Sequence, residues 1–383
     1  MAYIDRLFEL GSSILPFIVA FTIIVFVHEM GHFLVAKYNG VQVKTFSIGY
    51  GPKIFSWMDK AGTRWCLSLI PLGGYVMMLG DADASSTRSD VSDLSAEEKS
   101  KTLASKTPLQ KTAVAFGGPL MNIIFTLLIF LFIGIWKGLP EMQPKIDSVA
   151  KGSVAEVCGL QKGDVITGIA DADVQYVSEM SQLLEKNAGK TVVVRYSREG
   201  SDCATEASLW KEGENKEKIP LKVLGINIAS ELIFVKTSVW AAVAFSVMNC
   251  YRQAVAFFSG IAGFLSGKGG GGMKIGGILA IGDLANKSLS GGFVIFLNFM
   301  AMLSFSLAIC NLVPIPALDG GSIAINLIEF VRRKPLSPST INWVYSIGIM
   351  AVIGLMLLAT WNDLVNYGVI KKISTFFKSL FFK

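Results

Sequence analysis

Four long apolar runs constrain the fold of this chain more than any other feature of its sequence. A helix needs about 20 mostly apolar residues to cross the hydrocarbon core of a bilayer. With 52% hydrophobic and 17% charged residues among 383, the chain is more apolar than an ordinary globular protein. We therefore predict a polytopic α-helical membrane protein with about four transmembrane helices, from the runs Leu15 to Ala36, Ala113 to Trp136, Phe293 to Val313 and Trp343 to Trp361.

The charge and cysteine content exclude two further classes of protein. The net charge of +6 is spread along the chain without a basic run that would follow a nucleic-acid backbone, so we expect the lipid bilayer as a partner and no nucleic acid. The five cysteines are widely spaced and contain no CxxC pair, which argues against a disulfide framework and against a cysteine-zinc site.

The segments between the apolar runs differ in composition and predict a domain order. Residues 41–80 alternate apolar and polar residues around Gly and Pro, as in a β-hairpin, whereas 141–230 alone has the charge density of a soluble domain. The predicted order is a first transmembrane helix (1–40), a membrane-associated β segment (41–80), a flexible cytoplasmic loop (81–112), a second transmembrane helix (113–137), an inserted α/β domain (141–230), an amphipathic or interfacial helix with a Gly-rich loop (239–292), a third (293–321) and a fourth (343–364) transmembrane helix, and a C-terminal tail (365–383).

The inserted segment contains "GSVAEVCGLQKGDVITGI" (152–169), which resembles a PDZ domain. PDZ domains bind extended peptides or C-termini by adding a strand to a sheet edge, so the resemblance implies a peptide or C-terminus as a partner. A generic small α/β domain is the alternative.

The stretch "VHEMGHFLVAK" (27–37) carries two histidines and a glutamate inside an apolar run. Residues four apart share one face of a helix, so His28 and His32 can reach one metal ion with Glu29 beside it. Imidazole suits zinc, which lowers the pKa of a bound water, and Glu29 would accept the proton of that water as it attacks a peptide carbonyl. The alternative is two histidines packed inside a helical bundle, but ionisable groups in the hydrocarbon region are costly and typical of functional sites.

A third zinc ligand is required, and Asp319 is the leading candidate. It lies in "NLVPIPALDGG" (311–321), where Pro314 and Pro316 break a long apolar helix. Irregular backbone at membrane depth is tolerated where it is buried in protein or lines a wet cavity. The alternative is a helix-end turn with an exposed aspartate.

Together, these motifs resemble the site-2 proteases, and most closely the bacterial regulator of sigma-E proteases. "FSIGYGPKIFSW", "IPLGGYVMMLGD", "GGPLMN" and "IGGILAIG" match further family segments in order. The resemblance implies one Zn²⁺ per chain, Glu29 as the catalytic base, zinc ligands at His28, His32 and Asp319, and substrate-binding residues at Asn311, Pro314, Pro316, Gly73, Gly74 and Asn122.

The resemblance also implies a substrate class and a location. We expect cleavage of transmembrane segments of single-pass proteins, such as an anti-sigma factor or remnant signal peptides. The expected location is the bacterial inner membrane, with the PDZ-like domain periplasmic and the active site toward the cytoplasm. Enterobacterial members carry two tandem PDZ domains, whereas this chain has room for one. A membrane-anchored PDZ scaffold with a vestigial metal site, and a zinc transporter, are the competing functions.

Two structural hypotheses follow from the site. The first and third spans must bring their C-terminal ends to one depth, which requires an odd number of crossings between them, so we expect the apolar stretch Trp240 to Phe264 to lie at the interface. A helical substrate must also be extended before it is cut, and we expect "LSLIPLGGYVMML" (67–79) to offer it an edge strand.

Overall fold

The computed structural model of the chain describes residues 2–81, 94–209, 224–229, 232–266, 277–334 and 336–366. It comprises two compact units, residues 1–131 with 243–383 and residues 132–242. The described helices are α1 (Ala2–Tyr38), α2 (Ala96–Ser100), α3 (Pro108–Trp136), α4 (Val154–Val157), α5 (Val177–Lys186), α6 (Val239–Leu265), α7 (Ile278–Ser290), α8 (Phe293–Leu312), α9 (Asp319–Arg332) and α10 (Pro338–Asn366). The described strands are β1 (Val43–Met58), β2 (Arg64–Met78), β3 (Leu139–Met142), β4 (Ile146–Val149), β5 (Val165–Ile169), β6 (Ala172–Asp173), β7 (Thr191–Arg198), β8 (Ser201–Ser208), β9 (Ile226–Ile228) and β10 (Leu232–Val235).

Four helices within the described residues are long and apolar enough to cross a membrane, and they coincide with the four predicted runs. They are Leu15–Tyr38 of α1, α3, α8 and Ser339–Asn366 of α10. The helices α3 and α10 begin earlier than predicted, because their first turns contain polar residues that a search for apolar runs omits. At the start of α3, Thr107 and Gln110 form a capping box on either side of Pro108. At the start of α10, the Ser337 hydroxyl accepts a hydrogen bond from the main-chain N–H of Thr340.

Small residues and hydroxyl groups join the first three spans. Gly31 of α1 and Gly117 of α3 meet backbone to backbone, since a Cβ on Gly117 would lie 2.7 Å from the Gly31 oxygen. The Thr126 hydroxyl of α3 donates to the main-chain oxygen of Ala301 in α8 (3.1 Å), and the Ser304 hydroxyl of α8 donates to the main-chain oxygen of Asn122 in α3 (3.1 Å). Such contacts replace the hydrophobic driving force that membrane helices lack.

The segment predicted as a β-hairpin is a hairpin whose two strands each bend in the middle. Residues 43–48 pair with 74–78 on one side and lie beside 64–67 on the other, and 53–58 cover the outer side of 64–68. Residues 74–78 therefore form an edge. The Thr22 hydroxyl, well inside the first span, donates to the Pro71 oxygen (3.2 Å), so the sheet reaches the depth of that span.

Two other predicted segments differ from expectation. Residues 81–112 were expected to be a flexible loop; residues 82–93 lie outside the described residues, but the rest contains α2, which Ser95 and Glu98 cap, and the first turn of α3. Residues 239–292 contain a second helix, α7, besides α6. The start of α7 is capped by Asp363 of α10, which accepts hydrogen bonds from the main-chain N–H groups of Gly277, Leu279 and Ala280. Because the capping residue is distant in sequence, the residues around position 277 do not indicate that a helix begins there. Residues 267–276 of the Gly-rich loop and 367–383 of the tail lie outside the described residues.

Residues 132–242 form the second unit, which has its own core. Its largest sheet has the antiparallel order β6-β5-β7-β8, and β4 pairs with β9. Met180 and Leu184 of α5 are buried in the same cluster as Ile166 and Val194 of the sheet. The unit exceeds the predicted range of 141–230 because β3 and β10 pair with each other at its two ends. Residues 210–223 and 230–231 lie outside the described residues.

Candidate active site

The histidines of α1 present the same ring nitrogen to one point. Nε2 of His28 lies 3.2 Å from Nε2 of His32. Their Nδ1 atoms face other partners: Nδ1 of His32 donates to the Val114 oxygen (2.8 Å), and Nδ1 of His28 lies 3.3 Å from Nδ2 of Asn122. Each ring is therefore held by an outer partner, as is usual for a histidine that binds a metal through its other nitrogen.

Two adjacent glycines of α3 make room for these rings. Gly117 allows the backbone of α1 to approach, as described above. A Cβ on Gly118 would contact Nε2 of His32 and would lie 2.8 Å from Cε1 of His28. The "GG" of "GGPLMN" is thus required by close packing against the histidine pair.

Asp319 reaches the histidines through a tight turn between α8 and α9. After Leu312 the backbone is extended, Ala317 has a φ of +78°, and α9 begins at Asp319. The turn folds back onto the end of α8 so closely that a Cβ on Gly320 would contact the Leu312 and Val313 oxygens. Asp319 consequently stands at the first turn of α9, facing α1.

Three potential ligand side chains converge at this point. Oδ2 of Asp319 lies 3.1 Å from Nε2 of His28, and Oδ1 lies 3.4 Å from Nε2 of His32. Ligand atoms about 2.05 Å from a tetrahedral zinc ion are separated by about 3.3 Å, so the spacing fits zinc. Two imidazoles and one carboxylate are also the donor set of many catalytic zinc sites. Within the described residues, this is the cluster of His, Cys, Asp and Glu that could hold a metal ion.

Glu29 lies between the histidines and the sheet edge. A Cβ on Gly74 of β2 would lie 3.2 Å from Cγ of Glu29 and 2.8 Å from the Ser47 oxygen. Any residue larger than glycine at position 74 would press on the side chain of Glu29. The predicted base and the free edge of the sheet are therefore immediate neighbours.

The other predicted substrate-binding residues occupy different places. Asn311 lines the cavity and its Nδ2 lies 3.4 Å from Nε2 of His28, while Gly73 lines the cavity beside the Tyr50 ring. Asn122 is fully buried behind His28, so it contacts a predicted ligand and does not reach the cavity surface. Pro314 and Pro316 shape the turn and are also absent from the cavity lining.

A cavity of 790 Å³ contains these groups and continues beyond them. Its lining includes Tyr50 and Gly73 of the sheet, Asp319 and Asn326 of α9, and Lys111 of α3. Nζ of Lys111 lies 3.6 Å from Oε2 of Glu329. Because the lining includes both Asp319 and Asn326, about 10.5 Å apart along the axis of α9, the cavity can hold about three residues of an extended peptide.

Sequence reasoning missed several residues of the cavity. Tyr50 stacks on Tyr75, with ring centroids 5.9 Å apart, and the Ser322 hydroxyl lies 2.7 Å from the Tyr345 hydroxyl. Asn326 could have been noticed, because it is a polar residue seven positions after Asp319, on the same helical face. The outer partner of His32 is a main-chain oxygen, which no side-chain pattern reveals.

Comparison with known proteins gives a consistent result. The family model described as peptidase family M50 matches residues 16–355. A protein of Agrobacterium fabrum named as a zinc metalloprotease, Atu1380, is 32% identical over 366 residues, covering 93% of this chain and 96% of its own. Metalloprotease MmpA of Caulobacter vibrioides is 29% identical over 389 residues, with coverage of 93% and 96%.

Proposed function

Because this chain belongs to peptidase family M50, the site-2 proteases, and is a zinc metalloendopeptidase, we propose that it cleaves transmembrane segments of single-pass proteins within the bilayer. The observation that carries the proposal is the convergence of His28, His32 and Asp319 beside Glu29 and a free strand edge. The family resemblance suggests two settings, regulated cleavage of an anti-sigma factor and clearance of remnant signal peptides.

In this proposal, each residue of the site has one task. His28 and His32 would hold the zinc ion through Nε2, and Asp319 would hold it through its carboxylate. When bound, zinc supplies a Lewis acid that polarises the peptide carbonyl and acidifies a water molecule. Glu29 accepts the proton of the attacking water and then donates it to the leaving amine.

The strand edge answers a difficulty of the substrate. A helical segment has its carbonyl groups hydrogen-bonded and shielded by side chains, so it must be extended before attack. Within the described residues, 74–78 pair on one side only and run past Glu29, which supports their role as the edge that receives the substrate. Leu67, by contrast, lies opposite both Ile48 and Phe55, so the edge hypothesis narrows from 67–79 to 74–78.

Asn311 provides a further polar contact. Its amide stands beside the ligand cluster and lines the cavity, so it can hydrogen-bond the backbone of an extended substrate next to the scissile bond. Such a bond would help to hold the scissile peptide bond in position for attack.

The proposed location is a bacterial inner membrane, with the active site toward the cytoplasm. Large apolar side chains of the sheet remain exposed and fit a lipid environment: Ile54, Phe55, Trp57, Leu69 and Ile70. The helix α6 is not among the four candidate spans of the described residues, in keeping with an interfacial position. Its buried positions Ala242, Ser246 and Cys250 recur every four residues, which gives it one protein-facing side.

We assign peptide binding to the second unit, as a periplasmic PDZ-like domain. The strand β9 (Ile226–Ile228) pairs with β4 on one side. An extended peptide or C-terminus could add to its other side, in the mode that PDZ domains use. Removal of this binding would alter which substrates reach the site and leave the chemistry unchanged.

The decisive experiment compares the wild type with Glu29→Gln in lipid nanodiscs that contain a synthetic single-span peptide. We expect cleavage to be lost while zinc content stays at one per chain, since Glu29 is not a ligand. Exposed Glu199, in the second unit, offers a matched Glu199→Gln control with full activity. Cleavage by the Glu29→Gln protein would refute the mechanism. If the wild type also failed to cleave the peptide, the result would favour a peptide-binding scaffold.

A further inference from the structure

The side chain of Asn326 lines the active-site cavity, and its amide makes no hydrogen bond within the described part of the chain. Only 8% of the residue is exposed, so the amide is accessible from the cavity and not from the outer surface. A carboxamide has two donor hydrogens and one acceptor oxygen. Because no side chain of the described residues occupies them, they are available to a ligand that enters the cavity.

The neighbouring polar groups in this part of the cavity already have partners. The Ser322 hydroxyl is paired with that of Tyr345, and Lys111 is paired with Glu329. The amide of Asn326 thus differs from the polar side chains on either side of it along α9.

The distance between Asp319 and Asn326 along α9 shows which residue of an extended substrate would lie beside Asn326. Asp319 and Asn326 lie on the same face of α9, two turns apart, which corresponds to about 10.5 Å along the helix axis. An extended peptide covers that length in about three residues. A substrate held at Glu29 and running along α9 would therefore place a main-chain peptide group beside Asn326.

We propose that Asn326 forms a subsite that hydrogen-bonds a main-chain peptide group of the extended substrate, about three residues from the scissile bond. The inference rests on the proposed function, because it requires a substrate peptide in the cavity. A carboxamide matches a peptide group in both donor and acceptor, so the subsite recognises the extended backbone and not a particular side chain. Because a helical segment uses its peptide groups in its own hydrogen bonds, this bond selects segments that have already lost them.

The test combines a variant of the enzyme with a change in the substrate backbone. The substrate is a synthetic single-span peptide in nanodiscs, with its cut position fixed by mass spectrometry. In a series of analogues, one peptide bond at a time, on either side of the cut, is replaced by an ester, which removes its N–H. Each analogue is cleaved by the wild type, by Asn326→Leu and by the control Asn298→Leu, which changes an exposed asparagine of α8.

We expect Asn326→Leu to lower kcat/KM about 5- to 10-fold with zinc content unchanged. We also expect one ester, about three residues from the cut, to slow the wild type and Asn298→Leu by about the same factor, and to cause no further loss in Asn326→Leu. An equal ester penalty in both enzymes, or unchanged kinetics of Asn326→Leu, would overturn the subsite and indicate that water alone occupies it. Failure of the proposed function is a separate outcome, because the wild type would then cleave no peptide of the series.

Discussion

Nε2 of His28 lies 3.1 Å from Oδ2 of Asp319, although the two residues stand near opposite ends of the chain. This contact joins α1 to the turn after α8, and it brings the third donor to the histidine pair. We expect Asp319→Ala to lose zinc, with a fall in affinity larger than the 10- to 100-fold typical of an outer partner. The loss is measured as the zinc content of the protein after dialysis against a chelator. Asp283→Ala, which breaks a surface pair with Lys287, should retain the metal, and retention by Asp319→Ala would exclude this ligand.

Asn122 provides a prediction about the orientation of His28. If Nε2 binds zinc, Nδ1 carries the proton and needs an acceptor, and the Oδ1 atom of Asn122 is buried without a partner. Rotation of the amide by 180° would supply that acceptor. We expect Asn122→Leu to weaken zinc binding about 10- to 100-fold and Asn122→Asp to restore it.

The control for Asn122 is Ser304→Ala, which removes a hydroxyl that donates to the Asn122 main-chain oxygen and leaves the histidine contact intact. Zinc titration in the presence of a competing chelator gives both affinities. An equal loss in Ser304→Ala would mean that helix packing, and not the amide, holds the metal.

Gly74 tests the contact between the sheet edge and the base. A methyl group there meets the Ser47 oxygen and Cγ of Glu29, so Gly74→Ala should displace Glu29 or the strand. We expect cleavage to fall about 100-fold while zinc stays bound, since small misplacements of catalytic groups are costly. Gly354→Ala in α10, where a Cβ meets nothing within 4 Å, is the matched control. Normal cleavage by Gly74→Ala would contradict the assigned position of the edge.

The second unit should lose stability in acid through Asp164. Burial opposes ionisation of this carboxyl, but hydrogen bonds from Arg198 and the Gln161 N–H outweigh burial and hold its pKa below the ordinary value. Because the folded pKa is depressed, the stabilisation is complete above the ordinary aspartate pKa of about 4 and is lost as the pH falls toward the folded value.

Hydrogen exchange of the full-length protein measures this effect as protection factors for β5 and β7, corrected for the intrinsic pH dependence of exchange. We expect Asp164→Asn to lower protection about 10-fold at neutral pH and to flatten the acid decline. Asp202→Asn, at an exposed carboxylate of β8, should follow the wild type. An unchanged acid decline in Asp164→Asn would assign the loss to other carboxylates.

The interfacial position of α6 is tested by the two serines that flank it. Cysteines placed singly at Ser238 and Ser266 in a cysteine-free background should both react with an impermeant maleimide from the same side of the membrane. The expectation follows from the parity of crossings between α1 and α8. Labelling from opposite sides would show that α6 crosses the bilayer and would overturn the topology.

The sequence was most informative about features that depend on a single helix or a single apolar run. The four spans depend on length and hydropathy, and His28, Glu29 and His32 depend on helical periodicity within one segment, so both could be predicted. Asp319 could be chosen only because few acidic residues stand at membrane depth. Its approach to His28 depends on a turn so tight that Gly320 leaves no space for a side chain.

Features that depend on distant backbone could not be predicted. The role of Asn122 rests on its contact with His28 across two helices, and the start of α7 is capped by Asp363 from α10. The division of β2 into a paired half and a free edge follows from bends in both strands, which a pattern of alternating residues does not locate. Motif matching therefore assigned Asn122 to the substrate, whereas the structure places it behind a histidine.

The backbone contact between Gly31 and Gly117 has a consequence for mutational tolerance. In most transmembrane helices, exchange of one small residue for another is the mildest change available. Here an added methyl group would wedge α1 away from α3 and separate His32 from the Val114 oxygen. A saturation scan of the two spans should therefore find these two glycines as intolerant of replacement as His28, Glu29 and His32, and a natural variant with alanine at either glycine should be read as a loss of function.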